Sequence, residues 1–193
     1  MNFIENYPKH SIRSMLSGNK NTRYRNNIIF TIGFDSFGQL QIGPLQLDKT
    51  VKPAESNLLC SKLALDICSI FRNYLLEKSS IPVYHKELTT PSTSTSSLGF
   101  WRHIQIRENT EGKYLINFRV HNLSSHHDFF YAERDILVNY LQLHSQYELV
   151  QINYQEIIGK KEPTSQDKIY SFYHKEHLYQ TMLDKTFIIH PLC

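Results

Sequence analysis

Apolar positions along the chain fall into short runs with two different periods. From Ile28 to Phe34 and again from Gln39 to Ile42, β-branched and aromatic residues flank Asp35-Ser36-Phe37-Gly38, whose Asp and Gly are turn formers. That pattern predicts a hairpin, ended by Pro44. Pro53-Ala54-Glu55-Ser56 then opens a predicted helix in which Leu59, Leu63, Ile67, Ile70 and Phe71 recur at helical spacing. A second alternating pair, Phe100 to Arg107 and Tyr114 to Val120, is joined by Asn109-Thr110-Glu111-Gly112. Phe129 to Tyr147 predicts a second amphipathic helix through Ile136, Leu137, Tyr140, Leu141 and His144, and Leu149 to Ile158 returns as a strand. Two more short strands, about Leu178 to Leu183 and Thr186 to His190, hinge at Asp184-Lys185.

Hairpins alternating with two amphipathic helices predict an α+β fold with a mostly antiparallel sheet. Residues 1–23 are polar, broken by Pro8 and Gly18, and read as an arm or loop ahead of a single domain over 24–191. Within that domain Thr89 to Ser97, a Ser/Thr/Pro tract, reads as a disordered surface loop.

Charge adds little to this picture. Lys+Arg of 21 against Asp+Glu of 18 leaves a net +3, which permits contact with a polyanion without requiring it. No run approaches the roughly 18 apolar residues of a membrane span, and no secretory h-region begins the chain, so no membrane partner is expected. The three cysteines lack C-x-x-C spacing and favour a reducing, intracellular compartment. Cytoplasm or nucleus is expected; Arg13, Arg23 and Arg25 leave the mitochondrion as an alternative. Cys60 and Cys68 fall near the apolar stripe of the first helix and read as buried thiols.

Known site chemistries are mostly missing. His174-Lys175-Glu176-His177 and His126-His127-Asp128 invite a metal, yet in a strand-like stretch positions i and i+3 point to opposite faces, so both groups read as solvated polar turns. No G-x-S-x-G turn, G-x-G-x-x-G loop or phosphate-binding loop occurs. What remains is a set of aromatic and basic residues: Tyr24, Arg25 and Asn26, then Phe100, Trp101, Arg102, His103 and Arg107. Rings stack on splayed bases and guanidinium groups hold phosphates, which suits RNA. Composition alone favours reading the same residues as a sheet core bearing Phe100 and Trp101, with Arg102 and Arg107 solvated beside it.

At these residues the chain resembles the eukaryotic uracil-5 RNA methyltransferases, from about Tyr24 to Pro191. Tyr24-Arg25-Asn26-Asn27, with Phe30 and Gly43 beyond it, is similar to the family's Tyr-Arg-Asn-Lys segment, aromatic strand and glycine, with Asn27 in place of the lysine. Gly99-Phe100-Trp101-Arg102-His103-Ile104-Gln105-Ile106-Arg107 is similar to a glycine, a Trp, a basic residue and a Leu-Thr-Val-Arg strand. Leu183, Phe187, Ile189 and Pro191 fall where the family has Leu, then Phe-x-Ile-Ser-Pro, with His190 in place of the serine.

The resemblance implies an RNA-docking region acting on tRNA, with Tyr24, Arg25, Trp101, Arg102 and Arg107 docking RNA or shaping that surface. In the intact family, S-adenosylmethionine donates the methyl group and a cysteine thiolate adds to C6 of uracil, after which a base removes the C5 proton. Cys193 is not followed by the family's Asn-Pro, and no Asp-Pro-Pro-Arg segment occurs. The expectation is therefore a truncated member without the nucleophile, the base, a cofactor of its own or a complete Rossmann-like methyltransferase domain. Such a chain would at most bind RNA. A non-catalytic structural or protein-interaction module that keeps the fold is the alternative.

Overall fold

The structure, a computed structural model, describes residues 25–84, 99–121, 123–157, 168–182 and 185–191. The polar arm, Tyr24 and the Ser/Thr/Pro tract lie outside the described residues. The fold is α+β: the described residues form three α-helices and eight strands, with six strands in one sheet of order β2-β1-β3-β4-β5-β6.

The two predicted hairpins form where the alternation placed them. Strands β1 (Asn27–Phe34) and β2 (Leu40–Gly43) pair antiparallel, as do β3 (Trp101–Glu108) and β4 (Lys113–His121). Asp35 closes the first turn by accepting from the backbone N–H of Phe37 and Gln39, both at 2.9 Å. Strand β3 also pairs with β1, from Asn27 opposite Arg107 to Thr31 opposite His103. Gly99 leads the chain into β3 with φ of +72°, and a Cβ there would lie 2.2 Å from the Val83 carbonyl oxygen. Only glycine permits that close approach.

Both helical predictions need correction. The first helix does not run on from Pro53: a single 3-10 turn, Ala54–Ser56, is followed by a break in which the Asn57 side chain accepts from the Leu59 N–H at 3.0 Å. Helix α1 (Lys62–Glu77) begins only after Ser61, whose hydroxyl caps it by accepting from the Ala64 N–H. Cys60 thus precedes α1 while Cys68 lies on it, and both thiols are buried. The second predicted helix starts six residues early and is two helices, α2 (Leu123–Ala132) and α3 (Arg134–His144).

Strand β5 (Glu148–Ile157) runs parallel to β4, because α2 and α3 carry the chain back across the sheet. The sheet then gains an edge strand absent from the sequence reading, β6 (Tyr170–His174), antiparallel to β5. Strands β7 (Tyr179–Met182) and β8 (Lys185–Ile188) form a separate hairpin close to the predicted tail strands.

One sheet face is apolar. Ile28, Phe30, Ile32, Ile104, Ile106, Ile116, Phe118 and Ile152 pack against Leu63, Ile67 and Phe71 of α1 and Leu137 and Leu141 of α3. The α2–α3 break sits at Glu133, a buried residue whose carboxylate is turned inward. It accepts from the Tyr74 hydroxyl at 2.8 Å, the Ser79 hydroxyl at 2.8 Å, and the Ser80 N–H and hydroxyl at 2.6 and 2.7 Å. Burial and this carboxylate push the Tyr74 phenol well above its ordinary pKa. Replacing Glu133 with Ala leaves these donors unpaired and is expected to cost on the order of 3 kcal/mol in urea unfolding, with Glu133→Gln costing less. A loss below about 1 kcal/mol for Glu133→Ala would show that the carboxylate does not tie these elements together.

Candidate functional site

The sheet face away from the helices is built differently. Residues Ile29, Gln105, Asn117 and Asn153 form one cross-strand rank, and Thr31, His103, Arg119 and Gln155 form the next. An alternating strand sends every second side chain to this face, so Ile116, Phe118 and Val120 enter the core while Asn117, Arg119 and His121 cannot. Gln105 Nε2 donates to Asn27 Oδ1 at 2.9 Å, Asn117 Nδ2 to Gln105 Oε1 at 3.4 Å, and Gln151 Nε2 to Asn153 Oδ1 at 2.8 Å. Asn117 is 0% exposed. Its Oδ1 and the Nδ2 of its register partner Asn153 are buried and find no hydrogen-bond partner among the described residues. An amide ladder thus crosses β1, β3, β4 and β5, one contact short of continuous.

Cationic and aromatic groups gather where β3 begins and β4 and β5 end. The Arg102 guanidinium lies 5.2 Å from the centroid of the Tyr84 ring, a cation–π distance, and the Tyr84 and His121 rings are 5.1 Å apart. Arg119 and Gln155 lie one rank in from this end. Burial holds the His121 imidazole below its ordinary pKa, the Arg102 charge lowers it further, and Glu156 opposes both. The ring is therefore neutral at neutral pH. Glu156 accepts from the Leu123 N–H at 2.9 Å, at the start of α2.

The structure divides the residues singled out from sequence. Arg102 belongs to the cluster just described. Trp101 is 1% exposed, enclosed by Phe71, Phe100, Phe118 and Phe130, so its ring has no face free to stack on a base. Instead it fixes the start of the strand that carries Arg102. Arg107, 8% exposed, donates to the backbone carbonyl of His190 and ties the β7–β8 hairpin to the sheet. Leu178 and Ile189 add to that junction by packing on Leu115 and Val150. Arg25 is exposed just ahead of β1, its backbone bridged to Cys60, at the end of the sheet that holds Arg107. Arg102 and Arg107 stand five residues apart on one strand, about 17 Å.

Sequence reasoning passed over Tyr84, Arg119 and His121. The alternation of β4 carried a signal for the last two, whereas Tyr84 precedes the Ser/Thr/Pro tract and bears no pattern of its own. His174 and His177 were expected on opposite faces, yet their rings lie 4.9 Å apart because β6 ends between them. Among the described residues no group of three or more His, Cys, Asp or Glu side chains is placed to hold a metal ion.

Burial pushes the Cys60 thiol up to about 12, helped by Glu108 and Glu55, and raises Cys68 well above its usual value. Neither is poised as a nucleophile. The described glycines with positive φ, Gly38, Gly99 and Gly112, close hairpins or lead into β3, and none opens a strand-to-helix turn. Comparison of the chain with protein-family models and with curated proteins finds no match in either.

The His121 environment gives a pH test. Its folded pKa lies below that of a free imidazole, so the unfolded chain takes up the proton first as pH falls through about 6.5. Full stability from this group is present above that pH and is lost below it. Arg102→Gln is expected to move the His121 midpoint upward in an NMR titration; an unmoved midpoint would show that the guanidinium does not face the ring.

Proposed function

We propose that this chain docks structured RNA, tRNA in the first instance, through the end of the sheet that carries Arg102, Tyr84, Arg119 and His121. The observation that supports this most is the guanidinium held over a tyrosine ring beside a neutral histidine, at the end of a polar sheet face. Guanidinium groups pair with phosphates, and rings and amide-bearing side chains meet bases. The net charge of +3 is compatible with a polyanionic partner.

The resemblance to the uracil-5 RNA methyltransferases, carried by Tyr24–Asn27 and Gly99–Arg107, supports the same reading. In it the chain is the RNA-docking part of a protein of that kind. Methyl transfer from S-adenosylmethionine to C5 of uridine would then fall to family segments that these residues do not match.

A second reading, a structural or protein-interaction module, draws on Trp101 and Arg107. Both are committed inside the fold, one to the aromatic core and one to the β7–β8 hairpin.

Gel-shift titration separates the two readings. The chain is expected to bind tRNA more tightly than a charge-matched control protein. Arg102→Glu combined with Arg119→Glu should weaken that binding by at least about tenfold and flatten its dependence on salt, with circular dichroism confirming the fold. Binding no tighter than the control, or indifferent to the double variant, would favour the module.

A further inference from the structure

Three tyrosines nest at the β6 edge of the sheet, outside the cluster described above. Tyr154 of β5 is buried on the helix side, its hydroxyl 2.5 Å from that of Tyr131 on α2. Its ring also meets the Phe130 ring edge-on, with centroids 5.2 Å apart and planes at 86°. Held from two sides, this ring has one orientation. Tyr170, the first residue of β6, is its register partner and stacks on it with centroids 5.2 Å apart and planes at 16°. Tyr170 is nevertheless 43% exposed. One face of its ring lies on Tyr154 and the other is turned outward. Tyr170 is not one of the core side chains: from β6, Phe172 fills the core and Tyr173 packs against it.

We propose that the outer face of Tyr170 is a stacking platform for an unpaired base of the docked RNA, an inference that rests on the RNA reading above. A ring already fixed by its neighbour loses little freedom when a base settles on it, and every base offers a flat π face. A lysine and a histidine stand nearby. Lys168 is exposed two residues before Tyr170, and the His127 ring lies 4.7 Å from that of Tyr131. Phe118, Tyr154 and Tyr170 form one cross-strand rank, so Arg119, next to Phe118, lies two strands away, about 10 Å, on the opposite face. An RNA strand wrapping this end of the sheet meets the arginines on one side and the tyrosine on the other.

Two labelled RNAs test the platform by fluorescence anisotropy with the full chain: a hairpin with a single-stranded extension, and the same hairpin without it. Tyr170→Ala is expected to weaken binding of the extended RNA about five- to hundredfold while leaving the blunt hairpin unchanged. Tyr170→Trp should retain binding, and its exposed indole should lose fluorescence as RNA is added, against the constant background of buried Trp101. Equal binding of both RNAs by Tyr170→Ala and the parent chain, with Arg102→Glu still weakening them, would overturn the platform and leave the RNA reading standing. If the parent chain binds neither RNA, both ideas fall.

Discussion

Glu133 ties the α2–α3 break to the end of α1 and to the turn that follows it. Its carboxylate gathers donors from the end of α1 and from the Ser79–Ser80 turn that follows it. Such a charge is costly to bury unless its lone pairs are filled, and filling them fixes the positions of everything that donates. Ser79 in turn accepts a bond from the indole N–H of Trp101 at 3.4 Å, so the start of β3 is placed by the same network. The α2–α3 break, the exit from α1 and the strand bearing Arg102 are thus set by one buried anion.

This explains which elements were legible in the sequence. Hairpins β1–β2 and β3–β4 are local, and alternation with turn residues specifies them without help from the rest of the chain. The division of the second helix was not legible, because nothing near Glu133 breaks a helix by propensity; the break comes from donors more than fifty residues away in sequence. Strand β6 was missed because Tyr-Ser-Phe-Tyr-His buries only Phe172 fully, which leaves no apolar alternation to read. The parallel partner of β4 could not be seen either, since pairing direction depends on the crossover and not on the strand's own residues.

The proposed docking surface was partly legible in the same way. Arg102 stood out because it follows a tryptophan in an alternating run, and the structure places it against Tyr84 and His121. Trp101 stood out for the same reason, yet a large ring at the start of a strand is worth more to a core than to a surface: it meets four aromatic neighbours and leaves none of its face outside. The polar ladder from Asn27 through Gln105 to Asn117 is long-range in sequence, which is why no spacing announced it.

The six-stranded sheet is three antiparallel pairs joined along two seams, β1 against β3 and β4 against β5. Pairs β1–β2 and β3–β4 each span few residues, but the parallel seam closes only after α2 and α3 have been laid across the sheet. The β1–β3 seam closes a loop longer still, from Phe34 to Trp101, and the entropy of that loop places it late in folding. Sequence changes confined to the β1–β3 contact would then speed unfolding far more than they slow folding. The bond from Gln105 to Asn27 spans that seam, so a polar contact as well as apolar packing holds the first hairpin to the second.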